Sequence, residues 1–280
     1  MNQTLKRLGQ IDPRFIYLLL SIAILIPLVR PFGLPLSVTP QVRNSFNLID
    51  TVTAGEKVLM QFDYSIGGSA DMQAAVDAVF RHLMKKGARI ISISFSDQGV
   101  PFATGLMAEY EAQGKKYGTD FVNLGFLAGG ETALAAFYAD IAKAAPVDNR
   151  RQNTASYPIM NGIKSVSDIR LVVGMSNGIP GALEYVRQMV PYRSKTTLTI
   201  ITASGVAPTV QPYVQAKQVT GLIGGMKGAA EYERLMQYAG KATAGMDAQS
   251  AAHLFLVGLV ILGNISYLAT RKRRADPSHR

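Results

Sequence analysis

The chain has 280 residues, of which 48% are hydrophobic, carries a formal net charge of +10 and contains no cysteine. The lack of cysteine excludes disulfides, thiolate metal sites and cysteine nucleophiles, and the three scattered histidines do not favour a histidine metal site, so we predict neither a metal nor a cofactor. Much of the positive charge lies at the two ends of the chain beside apolar segments, which indicates membrane orientation rather than nucleic-acid binding.

The amino-terminal part of the chain is predicted to be a membrane anchor. Residues 1–14 carry an excess of basic side chains and are predicted to be a cytoplasmic tail. Residues 15–36, which are apolar throughout from Phe15 to Val29, are predicted to form a first transmembrane helix. A cleaved signal peptide is the alternative interpretation, but the sequence RPFGLPLSVTP after the apolar run offers no A-x-A-like cleavage site.

The carboxyl-terminal part of the chain contains a second apolar run. Residues 251–269, AAHLFLVGLVILGNISYLA, are predicted to form a second transmembrane helix, with a small-residue linker at 241–250 before it and a basic cytoplasmic tail at 270–280 after it. Asn264 is a polar residue within this run, and we expect it either to hydrogen-bond another helix or to lie near the headgroups.

The dense positive charge at both termini predicts how the chain is oriented. Both termini are expected in the cytoplasm, which makes the protein a two-pass protein of the cell (inner) membrane with its central domain in the periplasm or outside the cell. The expected partners are therefore the lipid bilayer and, in the same membrane, either further copies in a homo-oligomer or other membrane-protein subunits.

The segment between the apolar runs alternates strands with helices. Residues 37–55 are predicted to be a connector with a short helix over Gln41–Val52, and residues 56–240 a folded domain. The predicted strands are Val58–Phe62, Arg89–Phe95, Phe121–Phe126, Ile169–Met175 and Thr197–Thr202. The pattern predicts an α/β fold, with a doubly wound, mostly parallel five-stranded Rossmann-like sheet flanked by an N-terminal and a C-terminal transmembrane helix.

Two regions of the domain depart from this alternation. Residues 145–168 show no clear strand or long helix, and we interpret them as a lid, a partner-binding loop or an inserted β-edge. The glycine-rich segment Gly221–Tyr238 is predicted to be helical, which would put Gly221, Gly225 and Ala229 on one small-residue stripe. That stripe is a candidate subunit or domain interface, and internal packing against the sheet is the alternative.

Candidate ligand-binding residues follow the ends of the predicted strands. Ligands of open parallel sheets bind outside the carboxyl ends of the strands, where glycine lets backbone amides approach an anion. The candidates for holding a polar or anionic small molecule are Asp63, Ser65, Gly67, Gly68, Ser96, Asp97, Gly129, Gly130, Glu131, Ser176, Asn177 and Ser204. The alternative is that these residues only make tight turns, since no loop matches a phosphate-binding fingerprint.

Catalytic chemistry has weaker support in the sequence. Asp63, Asp97 and Glu131 would act as acid and base, or hold a hard cation such as Mg²⁺, if they converged at the edge of the sheet. No G-x-S-x-G motif supports a serine nucleophile, and His82 lies in the middle of a predicted helix, where we expect a partly buried or surface histidine. We therefore predict no catalytic residue, and a non-enzymatic role is favoured.

The segments KKYGTDFVNLGF, IRLVVGMSNGIPG and QVTGLIGGMKGAAEYE resemble motifs of an uncharacterised family of bacterial membrane-anchored α/β proteins, over roughly Lys57–Leu235. The resemblance implies the same anchored α/β layout and assigns no catalytic residue.

Three functions are compatible with the sequence. The leading hypothesis is a non-enzymatic, membrane-anchored interaction or assembly module that serves as a subunit of a membrane protein complex. The second is a tethered extracytoplasmic protein that binds a small polar or anionic molecule, and the third is a carboxylate-dependent extracytoplasmic hydrolase or transferase.

Overall fold

Six parallel strands form a single sheet in the order β3-β2-β1-β4-β5-β6. The strands are β1 Lys57–Asp63, β2 Arg89–Ser94, β3 Phe121–Phe126, β4 Leu171–Ser176, β5 Thr197–Thr202 and β6 Gly221–Gly224. The structure, a computed structural model, describes residues 12–274, and parts of both predicted basic tails lie outside this range. It divides into two compact units, Leu36–Ala242 and a second unit formed by the chain on either side of it.

Helices cover both sides of the sheet, which is why its strands are apolar. The helices of the first unit are α2 Pro40–Asp50, α3 Ile66–Lys85, α4 Val100–Ala112, α5 Gly130–Ala139, α6 Ile141–Ala144, α7 Ala182–Met189, α8 Ala207–Gln215 and α9 Gly225–Leu235. Leu59 and Met60, adjacent on β1, point to opposite faces, and both are fully buried. The predicted α/β fold with a parallel sheet is confirmed, and each of the five predicted strands is present.

A sixth strand is a correction to the sequence analysis. Gly221–Gly224 pairs in parallel with β5, with Gly221 opposite Thr199 and Ile223 opposite Ile201, and the helix begins only at Gly225. The segment Gly221–Tyr238 is therefore not one helix, and Gly221 does not share a helical stripe with Gly225 and Ala229. The absence of a side chain at Gly221 instead lets α2 approach the sheet, since a Cβ there would lie 2.7 Å from the Cα of Ser45.

The predicted connector at 37–55 is part of the folded unit rather than a link to it. Its helix α2 buries Val42 and Ile49 against the domain, and Ser45 Oγ lies 2.8 Å from the hydroxyl of Thr199 on β5. The compact unit thus begins at Leu36 instead of residue 56.

Residues 145–168 lie against β3, which is an edge strand of the sheet. The backbone N–H of Asn149 donates to the carbonyl of Asn123 at 2.9 Å, and that of Ile159 donates to the carbonyl of Gly118 at 3.1 Å. Asp148 anchors the segment, since its Oδ2 accepts hydrogen bonds from both Tyr117 and Tyr157. An open strand edge invites pairing with another chain, so this segment protects the edge.

Both ends of the first unit are held near the end of α9. The guanidinium of Arg234 donates to the carbonyl of Leu36, where the unit begins. The carboxylate of Glu233 accepts hydrogen bonds from the backbone N–H groups of Gly240 and Ala242, each at 3.1 Å, where the unit ends. The chain therefore enters and leaves the domain close to one point.

The second unit contains two apolar helices, α1 Pro13–Val29 and α10 Lys241–Arg274. The first predicted transmembrane helix ends at Val29 rather than residue 36, because two prolines follow within six residues. The predicted linker at 241–250 is helical and continuous with the second apolar run, because its alanine, lysine and glutamine residues favour a helix. Among the described residues, one helix, over Lys241–Leu268, is long and apolar enough to cross a membrane.

A buried carboxylate ties the start of α10 to the segment that follows α1. Asp247 is 3% exposed, and its oxygens accept hydrogen bonds from the backbone N–H groups of Phe32, Gly33 and Leu34 at 2.6, 2.8 and 3.0 Å. Three donors satisfy a charge that would otherwise be costly to bury. The apolar helices therefore belong to one structural unit.

Candidate functional site

The middle of the sheet is where its topology favours ligand binding. Strands β1 and β4 are neighbours, and the strand order reverses between them, which in open α/β sheets opens a crevice at the carboxyl edge. Asp63 ends β1 and pairs with Ser176 at the end of β4, and Ser65 and Asn177 lie in the loops that follow. The structure thus brings these four candidates together.

Asn177 bridges the two loops of this crevice. Its Oδ1 accepts from the backbone N–H of Ser65, and its Nδ2 donates to Ser65 Oγ, both at 3.0 Å. Ser65 also caps α3 by accepting from the N–H of Gly68 at 3.2 Å. A Cβ on Gly68 would overlap the Asn177 amide, so glycine is needed there for this close approach, while Gly67 is exposed. The bridge therefore ties the loop after β1 to the loop after β4.

Asp63 is buried beneath the crevice and fully engaged by the protein. Tyr185 of α7 donates to its Oδ2 at 2.6 Å, and the backbone N–H groups of Phe95 and Ser96 donate to its Oδ1. Burial raises the pKa of Asp63 to about 6, against the lowering effect of these hydrogen bonds. The carboxyl group therefore joins β1, β2 and α7 instead of facing a ligand.

The remaining serine candidates also bond within the protein, through the hydroxyl or through the backbone N–H. Ser176 Oγ donates to the carbonyl of Pro180 at 2.8 Å, within the loop that leads to α7. The backbone N–H of Ser204 donates to Asp71 of α3 at 2.6 Å, and that of Met226 donates to the other oxygen of Asp71 at 2.9 Å. These bonds lower the pKa of Asp71, although burial acts in the opposite direction. Asp71 thus ties α3 to the ends of β5 and β6.

The other acidic candidates do not join Asp63. Glu131 forms an ion pair with Arg187 of α7 at 2.8 Å and accepts from Gln188 at 2.8 Å, which links α5 to α7. Asp97 is exposed in a short 3₁₀ turn, and Gly129 and Gly130 adopt positive φ in the turn before α5. Within residues 12–268, no group of three or more His, Asp or Glu side chains is placed to hold a metal ion.

Large apolar side chains are exposed around the same edge. Ile179, in the loop after β4, is 86% exposed, and Ile66, directly after Ser65, is 70% exposed. Leu183 in the first turn of α7 and Phe126 at the end of β3 are each about half exposed. We call these four residues the apolar rim. The sequence analysis predicts polar groups at this edge and does not predict the rim, although Ile66 and Ile179 each stand next to a glycine in a predicted turn, where an apolar side chain is easily exposed.

A separate cleft of about 170 Å³ lies between α3, α4 and the chain after α9. Lys241 pairs with Asp77 at 2.9 Å on its wall, and the Arg81 guanidinium stacks 4.6 Å from the centre of the Tyr238 ring. Glu233, which also lines the cleft, accepts hydrogen bonds from the backbone N–H groups of Gly240 and Ala242. The sequence analysis did not single out this cleft.

His82 is more buried than expected, at 6% exposure. Its Nδ1 lies 2.8 Å from the hydroxyl of Tyr232 on α9, and its Nε2 lies 3.3 Å from Asp50 at the end of α2. Burial lowers its pKa. His82 therefore joins three helices, and neither of these contacts involves a candidate residue of the carboxyl edge.

The interface candidates lie in two different places. Gly225 begins α9 with φ +58° and lies close to Asp71 and Ser204, and Ala229 is buried one turn later, so both pack inside the domain. Asn264 is exposed on α10, where its Nδ2 donates to the carbonyl of Val260 in its own helix at 2.9 Å. The role of each as an interface stays a prediction.

Residues that the sequence analysis missed hold the site together. Tyr185 and Asp71 each bond to groups more than one hundred residues away in the chain. Comparison of the chain with protein-family models, with curated proteins and with solved structures found no match. The resemblance to a family of membrane-anchored proteins therefore stays a prediction.

Proposed function

We propose that the chain is a non-enzymatic, membrane-anchored interaction module, a subunit of a membrane protein complex, whose domain docks a protein partner through the apolar rim. The observation that carries the proposal is that, at the carboxyl edge, the polar groups are paired within the protein while large apolar side chains are exposed. The polar groups there bond to one another, as Ser65 does to Asn177 and Asp63 to Tyr185, while Ile66 and Ile179 face solvent.

An edge of this kind suits a protein surface better than a small polar ligand. Exposed apolar groups surrounded by polar ones are typical of docking sites, because their burial on association removes apolar area from water. A polar ligand would have to replace existing hydrogen bonds one for one, which yields little net affinity.

The anchoring part of the proposal rests on the apolar helices. Large apolar side chains are exposed along α10, with Leu254 at 71% and Val260 at 62%, and along α1, with Val29 at 85%. Exposure of this extent is stable in lipid and costly in water. Both chain exits of the domain lie at one end of α9, which suits two anchors placed side by side. The basic flanks favour cytoplasmic termini and a domain outside the cytoplasm.

A photocrosslinking side chain at Ile179 tests the docking role. In native membranes, benzoylphenylalanine at this position should give a discrete crosslinked band, because the side chain is 86% exposed on the rim. Gln113, an exposed residue at the opposite edge of the sheet, is the matched control and should give none. The substitution Ile179→Asp should abolish copurification of the crosslinked partner without changing the unfolding temperature.

Equal or absent crosslinking at Ile179 and Gln113 would contradict the docking role. A tethered receptor is then the second candidate, favoured by the 3-2-1-4-5-6 strand order, whose switch point binds ligands in other sheets. A small molecule that is retained by the purified protein and lost on Asn177→Ala would support that candidate. The third, a carboxylate-dependent hydrolase or transferase, has no comparable support, because Asp63 and Glu131 are engaged in separate contacts.

A further inference from the structure

The helix α10 has one covered face and one uncovered face within its unit. Ala248, Phe255, Leu259 and Ser266 are buried or half-buried and recur at helical spacing on one side of α10, which we call the covered face. Asn264 lies nine residues beyond Phe255, about two and a half turns of helix, and therefore on the opposite side. The described structure places nothing over that side.

The uncovered face carries the spacing of a helix-pairing seam. Val257, Ile261, Asn264 and Leu268 follow one another at intervals of four, three and four residues, which is the spacing of the two core positions in a coiled coil. Val257, Ile261 and Leu268 are 56%, 53% and 58% exposed. Three apolar side chains and one amide therefore form a continuous row along the helix.

The amide of Asn264 is only partly satisfied. Its Nδ2 donates to the carbonyl of Val260, and no donor among the described residues reaches its Oδ1. In the hydrocarbon of a bilayer no water can supply the missing bond, so a partner helix that does so is favoured. An amide carries both a donor and an acceptor, and two asparagines facing each other across a twofold axis satisfy each other.

We propose that α10 pairs in parallel with α10 of a second copy of this chain, with the two Asn264 side chains hydrogen-bonded across the seam. This inference rests on the membrane anchoring proposed above, and it names the partner for that anchor. Copies of one chain insert in the same orientation, so their helices run parallel. A single asparagine in a parallel apolar seam selects the two-stranded, in-register pairing. A charged partner would leave either the donor or the acceptor of the amide without a hydrogen bond, because a carboxylate only accepts and a cationic side chain only donates.

The absence of native cysteine makes disulfide crosslinking a clean test. The full chain in membrane vesicles, carrying Ile261→Cys on the seam, should form a covalent dimer on oxidation with copper phenanthroline. Leu259→Cys, on the covered face of the same helix, is the matched control and should remain monomeric. Adding Asn264→Leu to Ile261→Cys should lower the dimer yield about three- to tenfold, the range expected for one hydrogen bond between membrane helices. Asn264→Gln should retain most of it.

Equal dimer yields at Ile261 and Leu259, or a yield that is unchanged by Asn264→Leu, would overturn the pairing. A crosslinked product that contains a different protein would overturn it as well. An alkaline carbonate wash separates this failure from that of the anchor. Protein that stays in the membrane without forming the Ile261→Cys dimer refutes only the pairing, whereas protein released by the wash refutes the anchoring as well.

Discussion

At the scale of single residues, Asp63 gives the sharpest prediction. Its folded-state pKa of about 6 exceeds the unfolded value near 3.9, so the folded protein holds a proton that the unfolded chain releases. The stability that this proton contributes is complete below about pH 4 and is lost as the pH rises through 6. Removing the titration with Asp63→Asn should therefore change the pH dependence of folding.

The expected size of this effect follows from the shift in pKa. About two pKa units correspond to about 3 kcal/mol, so the unfolding free energy of the wild type relative to Asp63→Asn should fall by about that amount between pH 4 and 7. Denaturant unfolding of the full chain in mild detergent measures the difference at each pH. The exposed Asp97→Asn is the control, and its unfolding free energy should depend on pH as that of the wild type does. If both substitutions changed the pH dependence equally, the assignment to Asp63 would be contradicted.

The sequence placed Asp63 correctly at the end of a strand and could not reveal what surrounds it. Its partners Phe95 and Tyr185 come from other elements, and Tyr185 is 122 residues away in the chain. A strand-end carboxylate that is exposed and one that is buried look alike in a local pattern. Glu131 illustrates the same limit, since its pairing with Arg187 depends on how two helices pack.

At the scale of elements, the contact between α2 and β6 depends on Gly221. A Cβ at this position would fall on the backbone of Ser45, so Gly221→Ala should push α2 away from the sheet and destabilise the chain by about 1–3 kcal/mol. Gly105 on α4 is the matched control, because it has open space around its Cβ position. Gly105→Ala should stabilise the helix by about 0.5–1 kcal/mol. Thermal unfolding measures both, and changes of the same sign would contradict this account.

The same contact explains what could be predicted at this scale. The long strands were predicted from their continuous apolar runs, and the amphipathic helices from the helical spacing of their apolar residues. Strand β6 did not, because it has only four residues with glycine at both ends, and glycine gives no strand signal. Its strand geometry is imposed by pairing with Thr199–Thr202 and by the approach of Ser45. Both are tertiary contacts, which a local sequence pattern does not show.

At the scale of the whole molecule, the chain combines a folded α/β unit with two apolar helices. The sequence predicted both apolar segments from composition alone, because length and hydropathy are local properties. It did not predict that they are tied together, because Asp247 and Phe32 are 215 residues apart and only folding brings them into contact. The tie and the common exit of the domain at α9 both suit the proposal that α1 and α10 insert into a membrane as a pair.

Insertion as a pair has a consequence for topology that labelling can test. Two antiparallel membrane passages place both termini on one side, and the basic residues after Thr270 favour the cytoplasmic side. The natural chain has no cysteine, so single cysteines can be introduced. A maleimide that reaches the outer face of the cell membrane but does not cross it should label Gln113→Cys in the domain and leave Ser278→Cys in the tail unlabelled. Lysis should make Ser278→Cys reactive. Labelling of Ser278→Cys before lysis would place the carboxyl terminus outside the cytoplasm. The domain would then lie in the cytoplasm, and the rim would face cytoplasmic partners.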